Sequence, residues 1–113
     1  MTTSAPPLAV LPGTLELLVL SVLMGGDAHG YIIARAIERA SNGALRVEEG
    51  SLYPCLKRLA ALGQLEAAWA LGPSGRRVRK YSLTGSGRRR WASQHKLWLR
   101  VSAAVDAVVA AHT

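Results

Sequence analysis

The sequence predicts a mainly α-helical fold with one small β-hairpin and a long helix at the C-terminal end. Three observations carry that expectation. Apolar residues recur at helical spacing in three short segments before Gly63. The periodicity then becomes twofold between Leu65 and Leu83, around the turn cluster Gly72-Pro73-Ser74-Gly75. After Thr84 the apolar residues follow a seven-residue rhythm.

A chain of 113 residues suggests one folding unit. The segment 1–12 is small and proline-bearing and reads as a flexible arm. The first helix is expected over Gly13 to Met24, with Thr14 able to cap it. Leu15, Leu18, Val19, Val22 and Leu23 recur at helical spacing, and Leu17 and Leu20 make the helix oily nearly all round. In so small a chain such a helix calls for a partner subunit to cover it. Asp27 to Gly30 reads as a turn, with His29 a turn or cap residue or a phosphate contact. The second helix runs from Tyr31 to Ala40, with Ile33, Ala36, Ile37 and Ala40 inward and Arg35, Glu38 and Arg39 outward. Leu45-Arg46-Val47 can form one short strand.

The third helix, within VEEGSLYPCLKRLAAL, organises the rest. With Ser51 at the cap, Leu52, Cys55, Leu56, Leu59 and Leu62 fall on one side, and Tyr53, Pro54, Lys57 and Ala61 on the other. Pro54 is then tolerated in the first turn. The exposed face is narrow and carries one phenol and one lysine, chemistry that suits phosphate oxygens and a major groove. The same pattern also describes an ordinary amphipathic core helix. Two short helices joined by a tight turn and followed by a third form the helix-turn-helix ground plan.

The hairpin follows. Leu65, Ala67, Trp69 and Leu71 alternate on its first strand, and Tyr81 and Leu83 share a face of the second. Arg76, Arg77, Arg79 and Lys80 crowd its tip and returning strand with no acid between them. A hairpin placed after three helices is a wing, and its tip cations can reach phosphate or a minor groove. Thr84 caps the last helix, whose first turn is weakened by Gly85 and Gly87. Trp91, Trp98 and Val105 are seven apart, as are Gln94, Val101 and Val108. These fit the two apolar positions of a helix–helix seam. The expected organisation is an arm over 1–12, a winged helix-turn-helix domain over 13–84 and a dimerisation helix over 85–113.

Charge points to the partner. The net charge is +7, and no acid occurs between Ala67 and Val105 while nine cations do. A one-sign block suggests a polyanion: nucleic acid first, an anionic membrane second. No apolar run approaches the ~18 residues of a membrane span. No signal peptide is evident, so residence in the cytoplasm is the expectation. A single cysteine excludes an intrachain disulfide.

The segments PGTLELLVLSVL, HGYIIARAI, LRVEEGSLYPCLKRLAALG and RRVRKYSLTGSGRR together resemble the PadR family of bacterial transcriptional regulators. The resemblance is collinear from Leu11 to about Val109 and closest to the smaller subgroup with one C-terminal helix after the wing. It implies a homodimeric repressor that binds a double-stranded DNA operator, with the last helix of one subunit packed on the first helix of the other. Carried over by position, it makes Ser51, Tyr53 and Lys57 recognition-helix contacts, Tyr31 a phosphate contact, and Arg76, Arg77 and Lys80 wing contacts. Leu15, Leu18, Val22, Trp91, Trp98, Val101, Val105 and Val108 are the expected dimer interface. The resemblance also implies release by a small aromatic or drug-like effector, with Trp98 as the candidate platform. The chain departs from the family pattern at Ile32, Cys55 and Ala60 and in the Gly-Pro-Ser-Gly wing tip.

The alternative is a winged-helix protein-interaction or ligand-sensing module that does not read DNA, against which the block of cations weighs. An enzyme is not expected. His29, His95 and His112 are scattered, Cys55 points inward on the helical wheel, and no paired carboxylates, phosphate loop or metal-ligand spacing occurs. No cofactor, metal or membrane partner is expected.

Overall fold

The computed structural model of the chain describes residues 6–9 and 12–113. Nine elements follow in order: β1 (Leu8–Ala9), α1 (Pro12–Met24), β2 (Ala28–His29), α2 (Gly30–Ala40), β3 (Leu45–Arg46), α3 (Glu49–Ala61), β4 (Leu65–Leu71), β5 (Arg77–Leu83) and α4 (Gly85–Ala111). The expected class holds: four helices, the last of them long, and an antiparallel hairpin.

α1 is central because it is apolar on nearly every side and can be packed from several directions at once. Its Leu15, Val19, Leu20 and Leu23 are buried, and α2, α3, α4 and β5 all pack on it. Ile33 and Ile37 of α2, and Leu52, Cys55, Leu56 and Leu59 of α3, complete the inner surfaces. Val47, Leu65 and Tyr81 close the core from the loops and the sheet. The twofold alternation of β4 and β5 gives an antiparallel ladder in register from Leu65 opposite Leu83 to Leu71 opposite Arg77.

Several local expectations are corrected. Ala28-His29 is a third strand, not only a turn: it pairs with Tyr81 and Lys80 in the sheet order β2-β5-β4. Within the expected arm, Leu8 and Ala9 pair in parallel with Leu45 and Arg46, and Leu8 N–H donates to the Ala44 carbonyl at 2.8 Å. α1 begins at Pro12, so Thr14 lies inside it rather than capping it. α3 begins at Glu49 with Glu48 at the cap, so Ser51 is also within the helix. Pro54 then lies beyond the first turn and leaves the exposed Gly50 carbonyl without its intrahelical donor. Leu62 falls at the C-cap and is 61% exposed rather than inward. Glu38 is half-buried, since its carboxylate accepts the Val47 N–H at 3.2 Å.

Thr84 does cap α4. Its hydroxyl oxygen accepts the Gly87 N–H at 3.0 Å and donates to the Gly63 carbonyl at 2.7 Å, which ties the end of α3 to the start of α4. α4 packs on α1. Trp91 is half-buried, and its indole N–H donates to Ser21 Oγ at 2.9 Å. Beyond it Leu97, Trp98, Val101, Val105, Val108 and Val109 are all exposed.

Candidate nucleic-acid interface

The α2–α3 unit and the hairpin present one side of the molecule. α3 buries Leu52, Cys55, Leu56 and Leu59, so residues half a turn away must face out. Tyr53 and Lys57 are one turn apart on that exposed face, and Ser51 is half-buried at its start. Tyr31, in the first turn of α2, is 60% exposed. β4 and β5 run past the helical body, so burial fades along each strand. Leu65 and Tyr81 are buried, whereas Leu71 and Arg77 at the far end are exposed.

An open cleft of about 270 Å³ lies between these elements, with Tyr31, Gly30, Tyr53, Trp69, Arg77 and Arg79 among the residues on its walls. The structure therefore brings Tyr31, Tyr53 and Arg77 together. Lys57 continues the α3 face beyond the cleft. Arg76 sits at the hairpin turn, closed by the Gly72 N–H donating to the Arg76 carbonyl at 2.7 Å. Lys80 is exposed but alternates to the sheet face opposite Arg77, Arg79 and Tyr81. It does not share the cleft.

One cleft residue escapes the sequence argument. Trp69 shares its alternation with Leu65 and so reads as a core position, yet it is 56% exposed. Arg77 and Arg79 place their guanidinium carbons 4.6 Å and 5.1 Å from its ring centroid. The cross-strand pairing of Trp69 with Arg79 was available in the register, but the loss of burial along the hairpin was not.

Other candidate residues are placed as follows. Leu15 is 1% exposed within its own subunit and has no surface for a partner, which removes it from the expected interface. Leu18 and Val22 are half-buried beside an apolar groove of about 460 Å³ between α1 and α2. Trp91 is committed to α1 through its bond to Ser21, so the exposed part of the α4 stripe begins at Leu97. Trp98 lies on a cleft of about 300 Å³ between α1 and α4, with Thr14, Leu17 and Val101. The Cys55 thiol is buried. Desolvation pushes it above its ordinary 9.0, while Arg58 nearby partly offsets that. It is therefore a protonated core group at neutral pH. Among the described residues no cluster of His, Cys, Asp and Glu is placed to hold a metal. No described helix is long and apolar enough to cross a membrane.

Three helices around one core, with a basic hairpin beside the third, define a winged helix-turn-helix protein of the DNA-binding class. The chain belongs to the PadR-like family of transcriptional regulators, whose sequence profile matches residues 19–93. It is 30% identical to the smu.1704 protein of Streptococcus mutans, covering 89% of this chain and 91% of that one with a TM-score of 0.77. A PadR-like transcription factor from Bacteroides fragilis is 28% identical over 86% of this chain and 91% of its own, with a TM-score of 0.70. A transcriptional regulator from Clostridium thermocellum shares the fold at 23% identity and a TM-score of 0.76, over 83% of this chain and 91% of its own. An uncharacterized protein of Lysinibacillus sphaericus is 25% identical over 97 residues, 86% of this chain and 89% of the relative. The family's members are transcriptional regulators, not enzymes.

Proposed function

We propose that the chain is a homodimeric, sequence-specific repressor that a small aromatic or drug-like ligand releases from its operator. The observation that carries the reading is the cleft where Tyr31 and Tyr53 face Arg77 of the wing. Phenol hydroxyls and a guanidinium on one open wall suit consecutive phosphates along a duplex backbone. Lys57, one helical turn beyond Tyr53, extends that face toward the groove, and Arg76 and Lys80 supply further charge around the wing. Ser51 would stand at the groove end of the helix.

Dimerisation is supported by the unpaired stripe of α4. Trp98, Val101, Val105 and Val108 are exposed at seam spacing, with Leu97 exposed beside them, on a helix that reaches beyond the subunit body. The groove beside Leu18 and Val22 is apolar and is a fitting seat for the partner's α4. Two recognition helices would then meet successive major grooves about 34 Å apart. Trp98, on the cleft between α1 and α4, is where a planar effector would act on that seam.

The test is a fluorescence-anisotropy titration against the promoter upstream of the gene itself, run across a salt series. Binding should weaken steeply with salt and should fall on Lys57→Ala. Salt-independent binding, or full affinity without Lys57, would overturn the reading.

A further inference from the structure

We infer that Trp69 is a positioning residue for the wing: its ring holds the Arg77 and Arg79 guanidinium groups toward the cleft, and Arg79 is a further phosphate contact. The inference rests on the proposed DNA-binding role. Two cations two residues apart on one strand face repel each other and would otherwise swing into solvent. Here both guanidinium carbons lie within 5.1 Å of one indole centroid, where the ring's negative face attracts each of them. Trp69 stands opposite Arg79 in the ladder, with Arg77 on the adjacent diagonal, so the strand register itself sets up the contact. All three residues are on the wall shared with Tyr31 and Tyr53. A tryptophan that is 56% exposed adds little to the core, so its packing value lies in what rests on it. Arginine stacks on such a ring while keeping its donors free, which is how a stacked guanidinium can still face a phosphate.

The test compares Trp69→Leu with Trp69→Phe, alone and with Arg77→Gln and Arg79→Gln, in the full chain. Promoter affinity and its salt dependence are measured alongside the Arg Nε–H resonances of the free protein. Trp69→Leu should weaken binding by about tenfold across the two wings of a dimer, while Trp69→Phe, which keeps a ring face, retains most of the affinity. Arg79→Gln should lower the salt slope by about one per wing. In the Arg77→Gln, Arg79→Gln background, Trp69→Leu should cost nothing more. The ring-shifted Nε–H signals of both arginines should move to ordinary positions in Trp69→Leu, a readout that needs no DNA. A loss that persists without the arginines would mean that Trp69 touches DNA itself, which overturns the inference. Undiminished binding by Trp69→Leu, or unmoved Nε–H signals, overturns it while the DNA-binding reading stands. Failure of the unsubstituted protein to bind any duplex overturns both.

Discussion

The ring of Tyr53 lies directly on Gly30. A Cβ at Gly30 would stand 2.8 Å from Tyr53 Cε1 and 3.2 Å from its hydroxyl oxygen. The first residue of α2 and the exposed aromatic of α3 are thus in contact because one of them has no side chain. That contact sets where the phenol points, and it links the two helices at the cleft rather than through the core.

Gly30→Ala should therefore act on binding more than on folding. The obstructing group is the far end of a side chain that can swing away, so the urea midpoint should hardly change. The displaced phenol should lose its phosphate contact in each subunit, about 30-fold in promoter affinity at roughly 1 kcal/mol per contact. Pairing Gly30→Ala with Tyr53→Ala checks the route, because the glycine change should have no further effect once the ring is gone.

Gly87→Ala should do the opposite. A Cβ there would run into the backbone carbonyl oxygen of Gln64 and come within 2.9 Å of Leu83 Cδ2. Backbone at the start of the hairpin cannot swing aside, so α4 would have to back off from β4. A loss of about 2–3 kcal/mol is expected for overpacking of this kind, read from chemical denaturation. What looks in the sequence like a weak first turn is the space that lets α4 dock.

Glu16 joins three helices. Its carboxylate accepts from Arg90 Nε of α4 at 2.6 Å and lies 3.6 Å from an Arg58 nitrogen of α3. The glutamate side chain is only 12% exposed, but the arginines are 41% and 51% exposed and partly screened. Glu16→Gln should cost about 1–2 kcal/mol, with the difference from the unsubstituted chain shrinking in high salt. A cost insensitive to salt would point to packing rather than charge.

Val105→Asp tests the α4 seam without disturbing the subunit, since Val105 is 54% exposed there. Sedimentation should shift from dimer to monomer while the helical circular dichroism of the core elements persists. Promoter affinity should fall by about 100-fold or more, because the second half-site loses its tethered partner. A dimer unaffected by the charge would place the interface elsewhere.

The helical wheel of α3 is readable from spacing because burial in a helix repeats with the backbone itself. Leu52, Cys55, Leu56 and Leu59 are buried for that reason, and Tyr53 and Lys57 are exposed for the same one. Its ends are less readable. Ser51 and Thr14 are good cap residues, yet the helices start two residues earlier in each case, because docking of the helix body outweighs the roughly 1 kcal/mol of a side-chain cap. β1, β2 and β3 span two residues each, too short for any alternation, and form only where a distant strand offers its edge.

By itself the order of residues determined four helices, a basic hairpin and a heptad stripe on the last helix, because each is a local periodicity of apolar and charged side chains. Only the tertiary structure decided that Leu15 is sealed inside the core, that Gly30 underlies Tyr53, and that Trp69 stands in solvent beneath two arginines. Those outcomes depend on which surfaces meet and how far the hairpin projects past the helices. Repulsion between atoms and loss of water act at such contacts between residues far apart in the chain, where no spacing along it records them.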